Sequence, residues 1–230
     1  MRRSVTITFL RFTMRTILAA AAVAALSTAG AASAATIDFT DNDSYTFSTG
    51  GASGSIAGGV TYTLTPTGGD LTRVATGAPG MTFPPLMGEN DGIGIGDDEV
   101  TSPNEALTLT FSSAVTINSL YFLDLFQNPN AMQFNERVFV AADGGVANAF
   151  DAQVAFPDAF GYGAFTGLSL TGTTFVFTAG SENDGVANPD FALAGLDVAP
   201  VPLPAGVWLL GAALGGFGVM RRRARKAAAA

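Results

Sequence analysis

Apolar and polar residues alternate along short segments in the middle of the chain. Tyr62 and Leu64 alternate with threonines, and so do Leu107, Leu109 and Phe111. A period of two puts one set of side chains on each face of a segment, which is typical of half-buried β-strands. The pattern predicts nine strands, at residues 36–40, 44–48, 60–65, 107–111, 115–123, 137–141, 165–170, 173–178 and 191–198.

One of these segments changes parity part of the way along its length. Val115 and Ile117 share one parity, whereas Leu120 and Phe122 share the other. An extra residue in a strand shifts the alternation in this way, so we predict a β-bulge at residues 118–119.

The strands are separated by clusters of glycine, asparagine, aspartate and proline, and no segment has a helical period with caps. The glycine-rich residues 50–59 are predicted to be a flexible loop and not a phosphate-binding one, because neither a lysine nor a helix follows them. For residues 35–200 the sequence therefore predicts an all-β fold, an antiparallel β-sandwich with a jelly-roll-like topology.

The first 34 residues have the features of a secretory signal peptide. Basic residues precede an apolar run over residues 17–26, and small residues follow it. Signal peptidase needs small residues before the cut, so we predict cleavage between Ala34 and Ala35. Translation can start at Met1 or at Met14, because the segment from Met14 is already a complete signal peptide. An uncleaved anchor helix is the alternative, although the apolar run is short for a membrane span.

Residues 201–226 have the features of a second targeting segment, in three parts. The apolar residues 206–220 are followed by a basic cluster at residues 221–226. A helix from residue 205 to residue 220 would be about 24 Å long, slightly less than the hydrocarbon core of about 30 Å. We predict a transmembrane helix with its basic end in the cytoplasm and the central domain outside. A simple tail anchor is the alternative. The motif before the helix consists of Val201, Pro202, Leu203, Pro204 and Ala205.

This order of motif, glycine-rich apolar helix and arginine cluster resembles the VPLPA form of the PEP-CTERM sorting signal of Gram-negative bacteria. The resemblance implies recognition by an exosortase, an integral-membrane transpeptidase-like enzyme of species that make extracellular polysaccharide. Leu203 stands where the commoner motif has glutamate, which leaves the processing enzyme open. The resemblance covers residues 201–226 and implies nothing about the central domain.

Charged residues are separated along the chain. Nine of the 11 basic residues lie in the two terminal segments, whereas all 19 acidic residues lie between those segments. With Arg73 and Arg137 as its only basic residues, the central domain has a formal charge of −17. Such a surface repels a phosphate backbone and attracts divalent cations, so we predict that the protein does not bind nucleic acid.

The chain contains neither cysteine nor histidine. This excludes thiolate and imidazole catalysis and a zinc site of the usual type. Two carboxylates about 5–10 Å apart could hydrolyse a glycosidic bond, but no motif fixes such a pair. We therefore predict that the protein is not an enzyme, with a secreted polysaccharide hydrolase as the distant alternative.

The densest group of polar residues precedes the predicted strand at 107–111. Calcium binds six to eight oxygen ligands without strict geometry, and flexible glycines beside carboxylates suit it. The spacing is not that of an EF-hand, and a solvated surface loop is the alternative. The residues of this group are Glu89, Asn90, Asp91, Asp97, Asp98, Glu99 and Glu105.

Residues 188–198 resemble the closing strand of galactose-binding-like jelly rolls. In those folds an acidic residue at the start of the strand helps to hold a structural calcium beside an acidic loop. The resemblance implies Asp190 as a ligand here. The candidate calcium ligands are Asp190, Asp91 and Glu99, followed by Asp97, Asp98 and Glu105.

Aromatic side chains could also provide a surface on which a saccharide stacks. Most of the phenylalanines are expected in the core, and the only tryptophan, Trp208, lies in the tail, which argues against a strong carbohydrate binder. The candidates for such a surface are Tyr121, Phe122, Phe126, Phe160, Tyr162 and Phe165.

Together these observations predict an exported, structural or adhesive protein of a Gram-negative bacterium. It would pass through an inner-membrane intermediate to the cell surface or the extracellular matrix. The expected partners are signal peptidase, an exosortase-type enzyme and extracellular polysaccharide. A calcium-dependent carbohydrate-binding module is the alternative.

Overall fold

The computed structural model describes residues 33–73, 83–88, 90–97, 99–127, 135–155, 158–180, 189–201 and 215. Ala32–Val201 form one compact unit. A second unit consists of Met1–Ala31 with Pro202–Ala230, and Gly215, which is helical, is its one described residue. The predicted signal peptide up to residue 32, the motif after Val201, the predicted membrane helix apart from Gly215 and the basic cluster lie outside the described residues.

Within the described ranges, no helix combines the length and the apolar character that a membrane crossing requires.

The compact unit is built almost entirely of strands. Its strand pairs are antiparallel except β8 with β11, which are parallel. Two short 3-10 turns occur at Ala57–Gly59 and Asp158–Gly161. The strands are β1 (Ala35–Asp38), β2 (Thr46–Ser48), β3 (Gly51–Ser55), β4 (Thr61–Thr67), β5 (Leu71–Thr72), β6 (Gly94–Ile95), β7 (Ala106–Leu123), β8 (Phe126–Gln127), β9 (Arg137–Ala142), β10 (Asn148–Asp151), β11 (Val154–Ala155), β12 (Gly163–Ala179) and β13 (Ala192–Pro200).

Two long strands, β7 with 18 residues and β12 with 17, pair along most of their lengths. The first part of β7 also pairs with β4, and its second part pairs with β13. One layer therefore runs β10-β9-β12-β7-β4-β3-β2, and the other contains β12, β7, β13 and β1. The predicted antiparallel β-sandwich is confirmed.

Four of the predicted strands are halves of these two long ones. Segments 107–111 and 115–123 are both part of β7, and 165–170 and 173–178 are both part of β12. Thr171 and Gly172 pair with Thr116 and Val115, so β12 stays in the ladder where the sequence pattern is interrupted. The register then shifts, and Thr174 pairs with Thr110. The change of register there accommodates what the sequence pattern presents as a break.

The predicted bulge in β7 is confirmed. Ser119 pairs with Asp197 of β13, and Ile117 pairs with the next residue, Val198, so that Asn118 is the extra residue. The bulge allows both Ile117 and Leu120 to face the main core. It therefore reconciles the two parities that the sequence shows.

The prediction of a flexible loop at residues 50–59 is wrong over Gly51–Ser55, which form β3 and pair with β4. The glycine has a packing reason here. A Cβ atom at Gly54 would lie 2.6 Å from Cζ of Tyr62, so the tyrosine ring crosses this strand where no side chain stands. Glycine in a strand often marks such a close approach.

The main core lies between the two layers and is rich in aromatic rings. Phe122 is fully buried, and its ring meets those of Phe165, Phe177 and Phe191 edge to face, with centroids 5.4–6.5 Å apart. Phe165 and Phe177 belong to β12, and Phe191 directly precedes β13. The ring of Phe122 therefore joins β7 to β12 and to the start of β13. Edge-to-face pairs add to the burial of apolar area.

Replacing Phe122 with alanine should therefore lower the free energy of unfolding by about 3–5 kcal/mol. Val146 is 93% exposed, and Val146→Ala should change the free energy of unfolding by less than about 0.5 kcal/mol. Urea unfolding of residues 35–200, followed by circular dichroism, measures both. Equal stability of the two variants would contradict the central place of Phe122.

Candidate functional site

Two predicted ligands from distant parts of the sequence meet beside the start of β13. The backbone N–H of Val100 donates to the carbonyl of Phe191 at 2.7 Å, which brings Glu99 next to Asp190. The carboxyl group of Asp190 is hydrogen-bonded to those of Glu99 and Glu136, and the charge of Asp124 also acts on it. We call these four residues the carboxylate cluster.

Backbone contacts hold Glu136 and Asp124 in the cluster. Glu136 Oε2 accepts a hydrogen bond from the N–H of Phe126 at 2.5 Å, and the side chain is 8% exposed. Asp124 has a positive φ of 52°, and its N–H donates to the carbonyl of Phe160 at 3.0 Å. The loop that ends β7 therefore presents one carboxylate, and the residue before β9 presents the other.

The cluster favours a protonated Asp190. Burial, and after it the negative charge of Glu136, raises the pKa of the Asp190 carboxyl to about 8, whereas its hydrogen bond with Glu99 acts in the opposite direction. Taking an ionised carboxylate out of water and placing it beside another costs free energy, and a proton shared between the two removes most of that cost.

The other predicted ligands lie on the neighbouring segments around β6 and before β7, or outside the described residues. Asp91 is buried. Ile93 and Leu193 form an antiparallel bridge, so Asp91 and Asp190 lie on opposite sides of that bridge. Asp97 is exposed in the turn after β6. The carboxylate of Glu105 accepts the N–H of Thr101 at 2.8 Å. Asp98 lies outside the described residues.

Among the residues that the structure describes, no group of three or more acidic side chains has the arrangement of a metal site. The raised pKa of Asp190 favours a proton on that residue in the carboxylate cluster. Metal binding by Asp190, Glu99 and the remaining candidates stays a prediction.

A second cluster lies on the face of β7 opposite the main core. Leu120 and Phe122 point into the main core, whereas Tyr121 and Leu123 pack with Ala192 and Ala194 of β13. Partly exposed aromatic rings cover this second cluster. We call the rings of Phe83, Phe160, Tyr162 and Tyr121 the outer-face patch.

The rings of the patch form a stacked row. Tyr162 is stacked on Phe83, with centroids 4.6 Å apart, and lies almost parallel to Tyr121, at 6.5 Å and 3°. Phe160 meets Phe83 edge to face at 6.5 Å. The hydroxyl group of Tyr162 is held as well, because it donates a hydrogen bond to the carbonyl of Pro84 at 3.3 Å.

A carboxylate of β13 holds the innermost ring of the patch. The hydroxyl of Tyr121 donates to Oδ2 of Asp197 at 2.6 Å, and the other oxygen of Asp197 accepts from the hydroxyl of Thr36 at 2.7 Å. Burial, the hydrogen bond and the charge of Asp197 raise the pKa of Tyr121 to about 12. The phenol therefore stays a neutral hydrogen-bond donor at any physiological pH.

The loop at residues 83–88 is pinned over this face. Asp38 accepts the N–H of Met87 at 2.7 Å, and Thr40 accepts the N–H of Gly88 at 3.1 Å. A Cβ atom at Gly88 would collide with the carbonyl of Thr40, so the loop reaches this position only with glycine there.

Three of the six rings named as candidates for a stacking surface come together, and their use for stacking a saccharide stays a prediction. Tyr121, Phe160 and Tyr162 come together, whereas Phe122 is fully buried and Phe165 packs against the main core. Phe126 is partly exposed in β8, next to the carboxylate cluster.

Four residues of the two sites do not stand out in the sequence. Glu136 and Asp124 are isolated acidic residues, and Phe83 follows a stretch with no periodicity. Asp197 alternates with Leu196 and Val198, and this parity marks it as outward-facing on β13. That parity was the one available signal, and it gives no indication of Tyr121 as a partner.

No protein-family model and no curated protein matches the chain. A solved structure that it resembles is CBM32-3 from a family 31 glycoside hydrolase of Clostridium perfringens. The match has 14% sequence identity and a TM-score of 0.29, and it covers 46% of this chain and 70% of that one. A likeness this slight carries no argument about function.

The raised pKa of Asp190 predicts that the domain loses stability as the pH rises. Between the ordinary pKa of 3.8 and about 8, the folded state holds a proton that the unfolded state has released. The free energy of unfolding should therefore fall across this window. Asp190→Asn should flatten the profile and raise the melting temperature at pH 8, whereas Asp43→Asn, at an exposed position, should keep the wild-type profile. Thermal melts of residues 35–200 from pH 4 to pH 9 test this, and a wild-type slope in Asp190→Asn would contradict it.

Proposed function

We propose that this chain is an exported protein of the cell surface or extracellular matrix, with a structural or adhesive role and no catalytic activity. The folded domain is the part that remains outside the cell. The two terminal segments direct its export and its delivery.

The extent of the folded unit is the observation that supports this proposal most. The unit Ala32–Val201 occupies the acidic stretch between the two segments that the sequence marks as targeting signals. Its first strand starts at Ala35, directly after the predicted cleavage position, and its last strand ends at Pro200, directly before the predicted motif. The strand pairs of the described residues lie within residues 35–200.

The charge distribution supports delivery in the same direction. A basic C-terminal end favours the cytoplasmic side of a membrane, and a domain of formal charge −17 is repelled by anionic lipid headgroups. The exosortase-type step is proposed from the motif Val201–Ala205 with the apolar and basic segments that follow it.

Deleting residues 201–230 should release the domain from its membrane intermediate. We expect the truncated chain in soluble fractions of the producing bacterium, and the full chain in surface or matrix fractions. Pro202→Ala with Pro204→Ala should leave the chain in the inner membrane, because the helix and basic cluster remain. Val146→Ala is the matched control. Surface retention of the truncated chain equal to that of the full chain would defeat the sorting proposal.

The second candidate function is that of a calcium-dependent carbohydrate-binding module. The contact between Glu99 and Asp190 favours it, because both were predicted as ligands from separate segments of the sequence. A divalent cation among these carboxylates would replace the shared protons, which is how metal binding lowers the proton content of a site.

If the cluster binds calcium, calcium should raise the melting temperature of residues 35–200 by several degrees over EDTA, and magnesium at matched ionic strength should do less. The shift should be larger at pH 8 than at pH 6, since protons compete for the same oxygens. Asp190→Asn and Glu99→Gln should abolish it, and Asp43→Asn should keep it. The same melting temperature in EDTA and in calcium would leave the cluster as a proton-sharing one.

A further inference from the structure

We propose that the outer-face patch is a docking surface for an uncharged polysaccharide chain. This inference gives saccharide binding a surface and a substrate class apart from the carboxylate cluster, and it rests on the proposed function for the presence of polysaccharide around the protein.

The patch combines exposed apolar groups with polar ones. Phe83, Phe160 and Tyr162 are partly exposed, and the loop beside them exposes Pro84 and Pro85. Met87, in the same loop, is 74% exposed, and among the described residues the other exposed large apolar side chains are Val146 and Val201. A saccharide ring presents C–H faces to apolar and aromatic groups and hydroxyl groups to polar ones. Tyr162 and the carbonyl of Pro84 provide polar groups at the rim.

The patch is rigid before any ligand binds. Asp38, Thr40 and Asp197 fix the loop and the inner ring from below through the hydrogen bonds described above. A surface whose side chains are already ordered loses little conformational entropy on binding. The stacking of Tyr162 between its two neighbours serves the same purpose.

Phe160 has a conformation that a phenylalanine rarely adopts. Its φ is 52°, and the left-handed region costs a residue with a Cβ about 1–2 kcal/mol. The carbonyl of Phe160 accepts the N–H of Asp124, and Gly161 follows at a position where a Cβ would collide with Leu125. The turn therefore places an aromatic ring on the surface where asparagine or glycine would be the less strained choice, and such outliers concentrate at functional sites.

Charge selects the class of partner. The two basic residues of the domain are engaged elsewhere, since Arg73 lies over the ring of Phe47 at 4.4 Å and Arg137 pairs with Asp151. The patch rings are Phe and Tyr, and the nearest carboxylate in the network, Asp197, is negative. A domain of formal charge −17 repels an anionic polysaccharide, an anionic membrane and a second copy of itself. An uncharged saccharide avoids all three repulsions.

Affinity electrophoresis of the full chain in a non-ionic detergent tests this inference. Native gels would contain a neutral glucan, a neutral galactomannan or a polyuronate of similar length. We expect at least one neutral polysaccharide to retard the chain and the polyuronate to leave its mobility unchanged. Phe160→Asn removes the ring and suits the positive φ of this position, so it should keep the fold and weaken retardation about tenfold.

Met87→Ala should weaken retardation in the same direction, and Val146→Ala, an exposed apolar residue in the β9–β10 turn, is the matched control. Melting curves confirm that each variant is folded. Retardation by the polyuronate alone, by none of the three polysaccharides, or undiminished in both Phe160→Asn and Met87→Ala would overturn the inference. Loss of self-association in Phe160→Asn, measured by light scattering, without loss of retardation would assign the patch to a second copy and would also overturn it.

The cellular fraction that contains Phe160→Asn distinguishes a failure of this inference from a failure of the proposed function. Phe160→Asn should still reach surface or matrix fractions, because the tail is unchanged. A chain that never leaves the cytoplasm would refute the proposed function whatever the gels show, and normal delivery without saccharide retardation would refute the docking surface alone.

Discussion

The pairing of β7 with β12 is the interaction on which the rest of the structure depends. These two strands pass through both layers, and all but the peripheral strands pair with one of them or with a neighbour of one of them. Their inner faces supply much of the main core, and the outer face of β7 supplies the base of the aromatic patch. A strand pair of this length needs register shifts to follow the curvature of a sandwich, and bulges provide them. The register of one pair thus determines which residues reach each site.

Much of this fold was accessible from the sequence, because alternation with period two reports directly on burial. The strand class and the bulge at residues 118–119 follow from parity, and the acidic domain follows from the distribution of charged residues. The continuity of β7 and β12 did not, since the serines at 112 and 113 and the glycine at 172 resemble turn signals when the pairing of the strands is unknown. The strand β3 was missed for a related reason: Gly54 accommodates the ring of Tyr62 from the neighbouring strand, and local propensity cannot report a neighbour.

The residues of the candidate sites also divide into those that the sequence indicated and those that depend on long-range contacts. The sequence correctly indicated that Glu99 and Asp190 lie in the same region, because a resemblance linked the closing strand to an acidic loop. It gave no indication of Glu136 or Asp124, which enter the cluster through backbone contacts of the residues around them. For the patch, composition identified three of the four rings, and the pinned loop that adds Phe83 depends on a contact between Gly88 and Thr40 that only the three-dimensional structure contains. Chemistry-bearing residues can be listed from a sequence, whereas their grouping depends on long-range register.

The position of β13 determines how the domain would respond to mechanical force. This strand pairs with β1 on one side and with β7 on the other, and the N–H of Val201, just beyond its end, donates to the carbonyl of Ala114 at 3.0 Å. Ala192 and Ala194, under the aromatic patch, lie near the opposite end of the same strand. A pull applied at Val201 and resisted at the patch would act along the strand axis. Such shear loads the hydrogen bonds of both ladders together, whereas a peeling force breaks them one after another. Under the proposed function, in which the tail holds the domain at Val201, this geometry would load both ladders together and oppose unravelling of β13 from its end.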